Sequence, residues 1–142
     1  DATAAAGPDF STKRATHRGG AFGDLDNDGR VDAIVTALDE AVEVWRNVSP
    51  TPNRWLAVRA VGSKGNRDGV GAEITLTSAS GVRHSHVNTA VGYGGASDIR
   101  VHFGLGKDET VTKLEVRWPS GTVQVLENVA SNQVLEVKEP EK

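Results

Sequence analysis

The chain has no cysteine and no methionine, one tyrosine and only 5% aromatic residues. Without cysteine there is no thiol nucleophile, no zinc–thiolate site and no disulfide. A secreted protein lacking disulfides needs another staple, and a bound metal is one. Basic residues are also short: 16 Lys and Arg against 19 Asp and Glu leave a net charge of −3. No basic face therefore advertises nucleic-acid binding. No apolar run approaches the roughly 18 residues of a membrane span, so membrane insertion is not expected. Helical periodicity is missing beyond a turn or two. The chain opens on "DATAAAG" without a methionine, which reads as a segment cut from a longer precursor.

What the sequence does contain is β-type text. Residues 1–18 are small, polar and aperiodic, and are expected to form a flexible arm. From Ile34 on, short β-type runs alternate with turn signals. "DAIVTA" and "AVEVWRN" make a hairpin closed through Leu38, Asp39 and Glu40. "RWLAVRAVG", "AEITLTS", "VRHSHVNTA", "IRVHFG", "TKLEVRW", "TVQVLENV" and "QVLEVKE" follow. Leu114, Val116 and Trp118 alternate with Glu115 and Arg117; Ile99, Val101 and Phe103 alternate with Arg100 and His102. The expected fold is all-β: an antiparallel, jelly-roll-like β-sandwich of about nine strands, with an N-terminal hairpin packed on it.

The most specific stretch is "GDLDNDGRVD", Gly23 to Asp32. Asp24, Asp26, Asp28 and Asp32 occupy positions 1, 3, 5 and 9 of a loop, and Gly29 at position 6 supplies a sharp turn. The carbonyl of Arg30, at position 7, would complete an oxygen cage. Two carboxylates about 4 Å apart repel by ~4 kcal/mol at an effective dielectric near 20. A hard divalent cation with oxygen ligands relieves that, and Ca²⁺ suits a flexible all-oxygen site better than Mg²⁺. An EF-hand would place a bidentate acid at position 12, where Val35 stands, and helices on both sides. The flanks "RGGAF" and "AIVTA" are not helical, so the loop joins or precedes strands.

"RGGAFGDLDNDGRVDAIVT" with "VEVWRNVS" resembles one FG-GAP-type repeat. "NRWLAVRAVGSKGNRDGVGAEI", "VGYG", "VHFGLG", "VTKLEVRWPSGTVQVLENV" and "NQVLEVKE" resemble the ASPIC/UnbV domain. The resemblance implies a calcium-loop repeat over residues 19–49 and a sandwich domain over 54–139. It also implies a secreted or surface-exposed protein concerned with adhesion and extracellular recognition. One four-stranded blade cannot close a propeller, and only "SPTP" separates the repeat from the next strand. The repeat is therefore expected to pack directly onto the sandwich.

Other residues invite function. Tyr93, in a glycine-flanked loop, and Trp55, on the outward side of its strand, are candidate ligand contacts, with burial under a neighbouring element the plainer reading for Trp55. Trp45 is expected to be covered and Trp118 to lie in the core. His84 and His86 share one strand face, and with His102 could bind copper or zinc; three surface histidines on a wet sheet is the plainer alternative. Asn66 and Asp68 form a turn signal before they form a cation site. No nucleophile–base pattern or phosphate-binding glycine loop stands out, so no catalysis is expected. The function expected is that of a non-catalytic, calcium-binding extracellular recognition module whose partner is a glycan or an extracellular protein. It would be a monomeric unit of a larger chain. The alternative is a small histidine-metal enzyme using His84, His86 and His102.

Overall fold

The computed structural model describes residues 7–8, 14–90, 92 and 94–141. Among these, ten strands form three sheets. They are β1 (His17–Gly23), β2 (Asp32–Ala37), β3 (Glu43–Trp45), β4 (Arg54–Val61), β5 (Glu73–Ser78), β6 (Gly81–His86), β7 (Val101–Gly106), β8 (Thr110–Arg117), β9 (Val123–Ala130) and β10 (Gln133–Lys138). The all-β expectation holds, and each of the nine runs read from the sequence contains a strand. The tenth is β1, which begins at His17, inside the stretch expected to be an arm. Most of the rest of that arm lies outside the described residues.

β10, β4 and β7 face the sheet β6-β5-β8-β9 across one hydrophobic core. Strand alternation decides its membership: Leu56, Val58, Val101, Phe103 and Leu105 from one sheet meet Ile74, Leu76, Leu114, Val116 and Trp118 from the other. Trp118 keeps its indole N–H satisfied by donating to Gln124 Oε1 at 3.1 Å. On β8 the alternation slips, because Val111 and Leu114 both face inward three residues apart. The register opposite β5 jumps there, from Thr77↔Lys113 to Ser78↔Val111. Thr112 is the extra residue of a bulge, and its hydroxyl donates to the Thr77 carbonyl at 3.0 Å.

One pairing departs from the antiparallel pattern. β10 leaves the edge of the four-stranded sheet and runs parallel to β4, Gln133 opposite Leu56 and Lys138 opposite Val61. Asn132 makes the corner in the left-handed region, at φ 59°. It is fixed there by its own N–H on the Trp55 carbonyl at 2.6 Å and by its side-chain oxygen accepting from Trp55 N at 3.2 Å. At the far end of β10 the buried Glu139 carboxylate accepts the N–H groups of Ser63 and Lys64. The Ser120 hydroxyl donates to it too, and these donors hold its pKa below the ordinary glutamate value.

The third sheet, β1-β2-β3, is antiparallel throughout, and the segment joining β1 to β2 lies on the outer face of the β10-β4-β7 sheet, Gly29 against Trp55 and Val31 beside Ala57. Hence Ala57, which points away from the sandwich core, is also buried, and β4 is covered on both sides. Trp45 is half-covered, as expected, with its N–H donating to Glu43 Oε2 at 2.9 Å. The segment "NRDG" is the turn it promised to be, with Asp68 N donating to Asn66 Oδ1 at 2.9 Å. Among the described residues, Asp24, Asp26 and Asp28 are the group of three His, Cys, Asp or Glu side chains close enough to share an ion, and Asp68 is not part of it.

Two outcomes follow from this packing. Leu114→Ala, a fully buried site, is expected to cost about 2–5 kcal/mol in urea unfolding, whereas Val48→Ala on an exposed segment stays within about 0.5 kcal/mol. Asp108, in the β7–β8 turn, accepts from the Ser80 hydroxyl at 2.5 Å and from Ser80 N at 3.0 Å. These bonds lower its pKa from 3.8 to about 2. Its contribution is thus present above the unfolded value and is lost as pH falls through about 2. In acid titrations of unfolding, Asp108→Asn should flatten the slope between those two pH values.

Candidate functional site

The ten-residue aspartate stretch connects β1 to β2, strands that pair up to Gly23↔Asp32. Closing so short a distance with eight intervening residues forces the backbone to curl. Asn27 and Gly29 take left-handed conformations, at φ 59° and 87°. The curl turns three side chains to one point: carboxylate oxygens of Asp24, Asp26 and Asp28 all lie within 4.8 Å of one another.

Charge in this loop is balanced from inside the protein. Asp24 is buried, and its two oxygens accept from Asp28 N at 3.0 Å and Gly29 N at 2.8 Å. Arg46 pairs with Asp26 at 2.6 Å and reaches Asp28 at 3.6 Å. The guanidinium of Arg30 pairs with Asp28, while its Nε donates to the Asn47 carbonyl at 2.7 Å. The backbone N–H of Arg30, followed by the two guanidiniums, holds the Asp28 carboxyl below its ordinary pKa against the opposing effect of burial. The repulsion anticipated from the spacing is therefore met by two arginines and backbone donors in this structure. A cation is not its sole remedy.

Asp32 stands apart from the other three. It is buried and accepts from Leu25 N at 3.0 Å and Asn47 N at 2.7 Å, so it ties both ends of the loop to the segment after β3. The structure thus brings together three of the four aspartates read as ligands and gives the fourth a bracing role. The set that converges is all oxygen and hard, with Arg46 only loosely held at the surface. A Ca²⁺ ion fits such a donor set, and Asp24, Asp26 and Asp28 would hold it.

The loop is clamped to the sandwich by residues of β4 and β7. A Cβ at Gly29 would fall inside the indole ring of Trp55. Trp55 also stacks on His102, with centroids 6.0 Å apart and planes 9° from parallel. His102 Nε2 lies 2.9 Å from the Gly29 carbonyl oxygen. Arg100, just before β7, donates to the Asp24 carbonyl at 2.8 Å and to Asn27 Oδ1 at 2.5 Å. Asp98 anchors Arg100 in turn, at 2.7 Å from its Nε. Burial works to raise the Asp98 pKa, and the Arg100 bonds overcome it, leaving that carboxyl below its ordinary value.

Trp55 and His102 do point away from the sandwich core, as their alternation implied, but the aspartate loop covers that side. His102 is consequently not grouped with His84 and His86. Those two lie on β6, in the other sheet, where His84 Nδ1 meets Thr75 Oγ1 at 3.0 Å. The three-histidine metal site is not assembled. Tyr93 lies outside the described residues. Asp98 and the role of Arg100 were missed by sequence reasoning; the signal available was the placing of Arg100 on the same outward face of "IRVHFG" as His102.

The family described as ASPIC and UnbV matches residues 62–142. The chain belongs to this family. It is 35% identical over 129 residues to cartilage acidic protein 1 of Homo sapiens, a match covering 86% of this chain and 19% of that protein. The Mus musculus protein of the same name is 33% identical over 130 residues, covering 87% and 20%. That of Xenopus tropicalis is 34% identical over 109 residues, covering 74% and 16%. The chain thus spans at most about a fifth of the length of these relatives. The part of the ASPIC/UnbV chain that holds the aspartate loop lies ahead of the family match.

Gly29→Ala tests the clamp. Its positive φ and the Trp55 ring both oppose a methyl group, so urea unfolding followed by tryptophan emission should show a loss of about 1–3 kcal/mol. Gly65→Ala, where a Cβ meets nothing within 4 Å, should change stability by less than about 1 kcal/mol.

Proposed function

We propose that this ASPIC/UnbV chain is a non-catalytic extracellular recognition module whose aspartate loop is a calcium site. The observation carrying the calcium assignment is the convergence of Asp24, Asp26 and Asp28 within 4.8 Å, on a loop whose path is set by contacts to the sandwich. The loop with its three-stranded sheet is taken as one FG-GAP-type repeat seated on the following domain. Asp24 and Gly29 enter the site already oriented by backbone bonds, so little ordering remains for the cation to impose. The Arg30 carbonyl and Asp32 complete the proposed set, Asp32 through its hold on Leu25 and Asn47. The relatives are named for cartilage, and an extracellular setting goes with them.

A glycan and a protein are the two partner classes. The glycan assignment draws on Trp55 and the polar groove it lines. A protein partner is favoured by a separate feature: Leu38, Val42, Val44 and Val48, on and around β3, are each more than half exposed.

Calcium should raise the melting midpoint in proportion to RT ln(1 + [L]/Kd), about 2.7 kcal/mol at a hundredfold excess over the dissociation constant. Scanning calorimetry in millimolar calcium and in excess chelator measures this. Asp26→Ala should abolish the difference while folding normally, since Asp26 is exposed and its partners are the exposed Arg46 and the neighbouring Asp28. Identical midpoints with calcium and with chelator would contradict the assignment.

A further inference from the structure

Between the aspartate loop and the rim of β4 and β7 runs an open groove of about 410 Å³, with Arg30, Thr51, Asn53, Arg54, Trp55 and Asn132 among its lining. Its volume is in the range that holds small ligands rather than a folded partner. Its chemistry is dominated by hydrogen-bond donors. The indole N–H of Trp55, the side-chain amide N–H₂ of Asn53 and that of Asn132 have no acceptor among the described residues. Arg54 is held only through one guanidinium nitrogen, at 2.6 Å from Glu109, a carboxylate 75% exposed at its side chain. Exposed pairs of this kind contribute little and exchange readily. Arg30 faces the same groove while paired with Asp28.

Two guanidiniums, two amides and an indole N–H in the lining present donors that an anionic group completes. The amides, which both donate and accept, suit a ligand carrying hydroxyl groups as well. We infer that this groove binds an acidic saccharide, its sulfate or carboxylate group held between Arg54 and Arg30 and its hydroxyls on Asn53 and Asn132. The inference deepens the glycan assignment above. Its second half rests on the calcium assignment: Asp28 belongs both to the acidic cluster and to the groove wall. When Asp28 ligates a cation it gives up Arg30, whose guanidinium is then available to the anion. Calcium and saccharide should therefore each raise the other's affinity by the same factor.

Titration calorimetry on the 142-residue chain, with sulfated dextran oligosaccharides and unsulfated dextran of equal length, tests both halves. The sulfated probe should bind more tightly than the neutral one, and more tightly in millimolar calcium than in chelator. Arg54→Gln should weaken it by about threefold or more, with calcium affinity and melting midpoint unchanged. Equal affinity for both probes, or an unaltered Arg54→Gln variant, would overturn the groove assignment. So would binding of poly-glutamate in place of the sulfated sugar. Calcium binding without any saccharide binding would sink the groove and leave the calcium site standing. Saccharide binding that ignores calcium, in a chain that takes up no calcium, would remove the coupling and the calcium site together while supporting the groove.

Discussion

The packing of Gly29 against the face of Trp55 is the constraint from which the rest of the site follows. It brings backbone, not side chain, into contact with the outer side of β4, and it requires a residue with no Cβ in a left-handed conformation. Once Gly29 is seated, its carbonyl meets His102, and the Asp24 carbonyl and Asn27 side chain come within reach of Arg100. The curvature that turns three aspartates to one point is thus imposed largely by the sandwich. A loop shaped in this way owes its geometry to the sandwich more than to whatever its carboxylates face.

The electrostatics divide the four aspartates into two pairs. Asp24 and Asp32 are buried and satisfied by backbone N–H groups, which hold anions at low cost. Asp26 and Asp28 are compensated by Arg46 and Arg30, side chains nearer the surface. The first pair gives the loop its form, and the second pair is exchangeable. Arg46 in particular is 62% exposed at its side chain and holds Asp26 through a single nitrogen. A cation at this cluster would have to displace the exposed Arg46 from Asp26 and the half-buried Arg30 from Asp28, without the loop refolding around it.

Much of the sandwich was legible in the sequence because its signal is local. Alternation places Leu114, Val116 and Trp118 on one face whatever the rest of the chain does, and turn residues mark the strand ends. β1 was not legible: "HRGGAFG" has three glycines in seven residues and no β-branched side chain. Its strand conformation comes from pairing with β2 and from Ser97 and Asp98 along its other edge, where Phe22 exchanges bonds with both. The parallel seating of β10 on β4 was equally hidden, since period-two alternation carries no direction. For the site, spacing revealed the aspartates and the role of Gly29. It could not reveal that Trp55 and His102, correctly assigned to the outer face, would meet that same loop. Nor could it separate Asp32, whose partners Leu25 and Asn47 are fixed only once β2 and β3 have paired.

The shared contact of Trp55 with Gly29 also provides the most direct assay of the central claim. Terbium, which takes calcium's place at hard oxygen sites, emits strongly when excited through a nearby indole. Sensitised terbium luminescence, excited at the tryptophan band, should appear on titration, fall as calcium is added in competition, and be much reduced in Trp55→Phe. Emission that never rises, or that calcium leaves untouched, would contradict a cation site at Asp24, Asp26 and Asp28.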